Sequence, residues 1–246
     1  MKGILVAVGL GEQVARRTWY RPHQVRPLLE RPPVDRAIDA FVRAGFEEVA
    51  VVVGHGEDVL WQYLEDSARY GIAVYCMHNA QHARGSATAI YAARAFVGGE
   101  PFVVALSSHG VTANMLLSLR ARERGTSAVC VEMPCGRTRE ARGAMKVRLD
   151  ERGRVRSMGK SLRHWHALST GAFLLQPDVF GHVSELMRGD EDCSMRALVE
   201  RMVVCGDAPY ACSVAPQWEG VPGCERLLVW TTPLLTARLT PESLAA

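Results

Sequence analysis

The sequence predicts an α/β protein with a doubly wound, mostly parallel sheet and a small antiparallel insertion. Three observations lead there. Short, continuous runs of β-branched and apolar residues recur along the first half of the chain, as strands buried on both faces require. Between them lie segments with apolar residues at helical spacing, several closed by glycine. After Cys135 the texture changes to strict alternation around Asp150-Glu151-Arg152-Gly153, a hairpin signal. The alternation of strand and helix specifies right-handed crossovers. At 246 residues and 48% hydrophobic content, the chain reads as one domain over 1–246 with the insertion around 135–170.

Taken in order, residues 3–8 form an apolar strand that ends in Gly9-Leu10-Gly11. An Arg-rich, Pro-containing loop follows, and Pro32-Pro33-Val34-Asp35 opens a helix marked by Val34, Ile38, Phe41 and Val42 and stopped at Gly45. Strand 48–53 runs into Gly54-His55-Gly56, and a helix over 57–70 stops at Gly71. Strand 72–75, an Ala-rich helix 85–97, strand 102–106, helix 113–124 and strand 127–131 continue the alternation. The hairpin is expected from 144–149 and 154–158, a further strand at 172–175, and helices at 178–187 and 194–203. The Pro-containing tail leaves room for short strands at 210–214 and 227–230 and a brief helix from Thr240-Pro241-Glu242.

In an open α/β sheet ligands lie beyond the carboxyl ends of the strands. The candidate positions are therefore Gly9 to Gly11, Gly54 to Gly56, the loop from Asn79 to Gly85, and Ser107 to Gly110. Glycines at such a turn allow backbone N–H groups to approach phosphate oxygens closely. A dinucleotide fingerprint fits poorly, because Val14 holds the third small position and the loop runs on through Pro22 and Pro27. Arg16, Arg17, Arg21, Arg26 and Arg31 would face either polyphosphate or solvent.

The opening segment resembles that of the sugar-phosphate and inositol-phosphate nucleotidyltransferases, whose pattern is an apolar strand, G-x-G-T-R, a loop carrying P-K-P, and G-[KR]-P-[LM]-[IL]-[DEQ] before the first helix. Gly9, Gly11, Arg21-Pro22, Pro27 and Arg31-Pro32 with Asp35 keep that frame. The resemblance implies a Rossmann-like, GT-A-like nucleotidyltransferase core. It also implies a nucleoside triphosphate and a phosphorylated sugar or polyol as ligands. In such chemistry a phosphate oxygen attacks the α-phosphorus and displaces pyrophosphate, with a carboxylate-held divalent ion and cationic side chains stabilising the crowded negative charge.

Position by position, the resemblance places the catalytic arginine on Gln13 and the catalytic lysine on His23. It places one metal carboxylate on Ser108 and the other on Ala237 or Leu239. A neutral hydroxyl is a weak Mg²⁺ ligand beside a carboxylate. These losses imply a degenerate member in which metal-dependent catalysis is lost or strongly reduced, no cofactor is needed, and the protein serves as a nucleotide-binding or phospho-ligand-binding subunit, or pairs with a protein partner or a second copy. The surviving pieces are Gly9, Leu10, Gly11, Asn79 and Gly85 towards the nucleotide, Lys146, Thr170 and Gly171 towards the substrate, and Lys160 as a remaining catalytic-type cation. The alternative is an active transferase, Mg²⁺-dependent, making an activated (CDP-type) sugar, inositol or polyol, with Glu132, His109 or Arg16 as substitute groups.

The remaining features exclude more than they assign. A net charge of +3 and a pI near 8.5 do not mark a nucleic-acid protein. Seven scattered cysteines, and no leader-like N-terminus, point to reduced thiols and a cytoplasmic setting. No apolar run is long enough for a membrane span. His78 with His82, and His164 with His166, lack partners at zinc spacing, and Cys130 and Cys135 read as an inert buried thiol and a loop thiol, not a redox pair. Ser108 and His109, adjacent on an extended segment, should point to opposite faces, leaving the histidine towards solvent.

Overall fold

The computed structural model describes residues 1–7, 32–54, 57–122, 125–133, 143–189 and 192–214. The expected strand at 227–230, the terminal helix, Gly9, Leu10, Gly11, Gln13, His23 and Ala237 lie outside the described residues.

The strands are β1 (Lys2–Ala7), β2 (Glu48–Val53), β3 (Ala73–His78), β4 (Phe102–Leu106), β5 (Ala128–Glu132), β6 (Lys146–Leu149), β7 (Val155–Gly159), β8 (Ala167–Leu175) and β9 (Tyr210–Val214). They join into one sheet of order β3-β2-β1-β4-β8-β5-β9, with β6 pairing β7 and β8. β3, β2, β1 and β4 are mutually parallel, as are β5 and β9, while β8 runs antiparallel to both β4 and β5. The strand expected at 172–175 therefore begins five residues earlier, at Ala167. Its first part pairs with β6 (Lys146↔Leu168) and its last with β4 (Phe102↔Leu175). β5 thus does not neighbour β4, as simple alternation would suggest, because the returning strand occupies that place.

The helices are α1 (Pro33–Arg43), α2 (Glu57–Leu64), α3 (Ala87–Ala92), α4 (Arg94–Val97), α5 (Ala113–Arg120), α6 (Val179–Arg188) and α7 (Met195–Cys205). They cover both faces of the sheet. On one side α3, α6 and α7 pack on Ile4, Val6, Val104, Val129, Val131 and Phe173. On the other, α1, α2 and α5 pack on Leu5, Ala7, Val103, Ala105, Cys130 and Leu174. Odd and even positions of each strand thus feed different cores, which is why β2 and β4 read as unbroken apolar runs. Each large side chain so buried contributes about 1.5–3 kcal/mol. Among the described residues no helix is long and apolar enough to cross a membrane.

Three expected helices are shorter than their periodicity suggested, among them the 113–124 helix, which ends at Arg120. The 57–70 helix ends at Leu64 and resumes as a 3₁₀ turn, Ser67–Tyr70, closed by left-handed Gly71. The break returns Tyr70 to α1, where the Tyr70 and Tyr63 hydroxyls donate to the two oxygens of buried Asp35 at 2.5 and 2.6 Å. Arg69 lies over both rings and 3.5 Å from the same carboxylate. The 85–97 helix starts late, at Ala87, because residues 79–86 are engaged in loop hydrogen bonds described below, and it is interrupted at Ala93. The hairpin is as expected. Asp150 Oδ1 accepts from the Arg152 and Arg154 N–H groups, and Gly153 takes φ 74°.

Candidate functional site

The strand order changes direction at β1, whose neighbours are β2 on one side and β4 on the other. Chain-wise the sheet grows outward through β2 and β3, then returns to β4, so the crevice at a switch point opens beyond Ala7 and Leu106. Ser107 continues the register there, its N–H donating to the Val6 carbonyl at 3.0 Å.

Beyond Leu106 the chain turns. His109 N–H donates to the Leu106 carbonyl, and Val111 N–H to that of His109. This turn overrides the expectation for an extended segment, and Ser108 Oγ and His109 Nδ1 meet at 3.1 Å. His109 is half-buried, not directed wholly to solvent. Its ring lies against Gly171, where φ is +80° and an added Cβ would stand 2.6 Å from the imidazole Cγ. A glycine is therefore required twice over, for the left-handed backbone and for the seat of the ring. Burial, then the nearby positive charge of Lys160, pushes the His109 pKa down, so the ring is neutral at neutral pH. Lys160 itself is exposed just past the end of β7.

The loop after β3 forms the facing wall. Asn79 is 3% exposed. Its Nδ2 donates to Thr88 Oγ1 at 2.8 Å and its Oδ1 accepts from the Gln81 N–H. Thr88 Oγ1 in turn lies 2.7 Å from the Gly85 carbonyl and 3.2 Å from that of Gln81. The Asn79 side chain, expected to meet a nucleotide, is thus occupied in shaping its own loop. Gly85 adopts φ +132°, and a Cβ there would stand 2.5 Å from the Cys193 backbone. Ala87 N–H donates to the Cys193 carbonyl, Cys193 N–H to the Arg84 carbonyl, and Met195 N–H to Ser86 Oγ. Gly85 therefore permits a backbone-to-backbone weld between the starts of α3 and α7. His82 leans on Gly54, where an added Cβ would meet its Cβ at 2.6 Å, and ties the loop to the end of β2.

Of the substrate-side residues, Thr170 is fully buried and donates its hydroxyl to the Cys130 carbonyl at 3.1 Å. Its hydroxyl is thereby committed to the neighbouring strand β5. Lys146 Nζ donates to the Leu162 carbonyl at 3.3 Å, which steadies the segment following Lys160. The structure brings Ser108, His109 and Gly171 together, with the charge of Lys160 acting on the ring. From the sequence His109 is expected as a substitute group or a solvent-facing side chain; the signal for its place here is a polar S-S-H run at the carboxyl end of an apolar strand.

Glu132 is the other residue that sequence alone did not mark strongly. It ends β5, is 8% exposed, and its Oε1 has no hydrogen-bond partner. Burial raises its pKa. By strand alternation its side chain follows Cys130 onto the α5 side of the sheet. Cys130 is an inert thiol, pushed up to about 12 by burial.

The divalent ion that this fold's chemistry implies would need hard oxygen ligands, chiefly carboxylates. At the end of β4 the described groups are a hydroxyl, a neutral imidazole and an ammonium, and these do not fit it. Among the described residues no group of three His, Cys, Asp or Glu is placed to hold a metal.

A family model described as Nucleotidyl transferase matches residues 2–221. The chain belongs to the nucleotidyl transferase family. A low-salt glycan biosynthesis nucleotidyltransferase of Haloferax volcanii is 31% identical over 111 residues, covering 44% of this chain and 30% of its own. A UTP–glucose-1-phosphate uridylyltransferase of Staphylococcus saprophyticus is 27% identical over 135 residues, 46% of each chain. The chain thus spans less than half the length of these curated relatives. In three dimensions the inositol-1-phosphate CTP transferase from T. maritima superposes with TM-score 0.74 at 20% identity, covering 86% of this chain and 84% of that one. A UDP-glucose pyrophosphorylase complexed with UDP-glucose gives TM-score 0.69 at 20% identity, covering 86% and 89%. These two likenesses show the fold, a mixed α/β core with a large, mostly parallel sheet.

Proposed function

We propose that this nucleotidyl transferase family member binds a nucleotide or a phosphorylated sugar, inositol or polyol in the crevice beyond β1 and β4, with metal-dependent turnover lost or strongly reduced. It acts as a ligand-binding subunit alongside a partner protein or a second copy of itself. The observation that carries this reading is the chemistry at the end of β4. Where a carboxylate would hold the ion, Ser108 is bonded to a neutral His109 beside Lys160. A divalent ion, if held there, would supply several kcal/mol of transition-state stabilisation, and a hydroxyl and an imidazole hydrogen-bonded to each other do not replace it.

One observation favours an active transferase instead. Glu132 is a buried carboxylate with an unpartnered oxygen at the carboxyl end of a strand, and an ion recruited to it would satisfy that oxygen. Pure protein incubated with Mg²⁺, each nucleoside triphosphate and a panel of sugar, inositol and polyol phosphates decides between the two. The proposal expects no pyrophosphate release above background, together with a thermal shift from at least one ligand of the panel. Sustained release with any pair establishes the active alternative.

A further inference from the structure

The trio at the end of β4 has a charge character of its own. Lys160 is exposed and has no ion pair among the described residues, while its charge acts on His109. Ser108 is exposed, and its Oγ is held at 3.1 Å from His109 Nδ1. That contact leaves one donor of the pair uncommitted whichever tautomer is present. If the hydroxyl donates to Nδ1, the neutral ring carries its proton on Nε2; if Nδ1–H donates, the serine hydroxyl hydrogen is free. A mobile ammonium and a pre-placed neutral donor are complementary to phosphate oxygens. The same set repels a divalent cation, since Lys160 is positive and neither neutral group brings a compensating charge.

We infer that Ser108, His109 and Lys160 form a seat for a phosphate group that carries no divalent ion, so that Mg²⁺ does not assist binding there. The inference rests on the reading of a ligand-binding crevice given above and specifies the ionic form of its ligand. The rigid part of the seat is His109, fixed by Gly171 beneath the ring and by the turn that returns its N–H to Leu106. The adaptable part is Lys160, at the tip beyond β7 and free to follow the ligand. Phosphate oxygens chelated by Mg²⁺ would present a less negative group to Lys160 and place a second cation near it.

The experiment measures binding by calorimetry and thermal shift to the full chain with three probes: inorganic phosphate, glucose 1-phosphate or inositol 1-phosphate, and CTP or UTP. Each is tested in EDTA and in Mg²⁺. The arms distinguish a bare phosphate, a substrate phosphate and a nucleotide phosphate as the source. The expected result is binding in EDTA at least as tight as in Mg²⁺. Lys160→Ala should weaken it by about 10-fold or more and flatten its salt dependence, as for loss of a charge-assisted contact. Ser108→Ala should weaken it by about 3–10-fold through loss of the paired donor. His109→Gln, which keeps a donor and much of the ring's volume, should weaken it less than His109→Ala, and far-UV circular dichroism shows whether each variant is folded. Binding that requires Mg²⁺, or that is unchanged in both the Lys160 and Ser108 variants, overturns the inference and leaves the ligand-binding reading standing. Absence of binding by every probe in both buffers overturns that reading as well.

Discussion

Replacing Gly171 with alanine tests the seat of His109 directly, and its magnitude follows from two separable contributions. The backbone at φ +80° is unfavourable for any residue with a Cβ, by about 1–2 kcal/mol. The new methyl would also stand 2.6 Å from the His109 Cγ and 2.9 Å from Nδ1, well inside contact distance, so the ring must leave. Its departure sacrifices packing and the bond to Ser108 at 3.1 Å, together about 1–2 kcal/mol. The sum, about 2–4 kcal/mol, corresponds to a lowering of Tm by roughly 5–15 °C in a domain of this size. The assay is a double-mutant cycle by thermal and urea unfolding with Gly171→Ala, His109→Ala and the pair. In the His109→Ala background the steric part vanishes and only the backbone part remains, so the coupling should be about 1–2 kcal/mol in sign and size. Proton NMR of His109 in the single Gly171 variant should show its pKa rising towards the ordinary histidine range as burial is lost. A Gly171→Ala protein as stable as the parent, or a penalty unaffected by removing His109, would refute the packing argument.

Gly85→Ala should be more damaging than Gly98→Ala although both are left-handed positions, at φ +132° and +71°. The first places a Cβ 2.5 Å from the Cys193 backbone, which cannot rotate away, while the second meets nothing within 4 Å. Melts should show a loss of about 3 kcal/mol or more against about 1 kcal/mol. Glu132→Gln should stabilise the protein near neutral pH by on the order of 1 kcal/mol, because the buried carboxylate has an unsatisfied oxygen. Its folded pKa is raised, so its contribution is fully present below the unfolded carboxylate range and is lost as pH rises through the raised value. Tm measured against pH should therefore slope downward there in the parent and flatten in the variant. Tyr70→Phe removes one of the two hydroxyls on Asp35 and should lower stability by about 1–2 kcal/mol in a urea titration. The same change in Tyr63 should add to it less than independently, since both serve one carboxylate.

The strands were the most legible part of the chain because burial on both faces writes itself as unbroken apolar runs, as at Val49 to Val53 and Phe102 to Ala105. β8 was half legible. Ala172 to Leu175 is an apolar run, whereas Ala167 to Gly171 carries polar residues whose strand character comes from β5 and β6 on either side. The late start of the 85–97 helix and the break after Leu64 were hidden because they answer to tertiary bonds, Cys193 with Ala87 and Asp35 with Tyr70, that leave no periodic mark. In the site, the glycines were readable as glycines, but what lies against them was not. Gly171 supports a histidine that comes from another part of the chain, and Gly85 a backbone more than a hundred residues further on. Ser108 and His109 misled for a local reason. An extended pair points apart, and only the hydrogen bond from His109 N–H to Leu106 reveals the turn that joins them.

The position of β8 also governs the order in which the sheet can be completed. Within the main row, β4 and β5 communicate only through it, and β9 pairs with β5 beyond. During synthesis the block β3-β2-β1-β4 can complete its internal pairings once Leu106 has emerged, leaving the β8 side of β4 open. β5 must wait, apolar and unmatched on the β8 side, until the hairpin and residues 167–175 arrive. Such deferred pairing between distant parts of a chain slows closure of a sheet. The β5 segment is therefore the natural place for a nascent-chain chaperone to be needed.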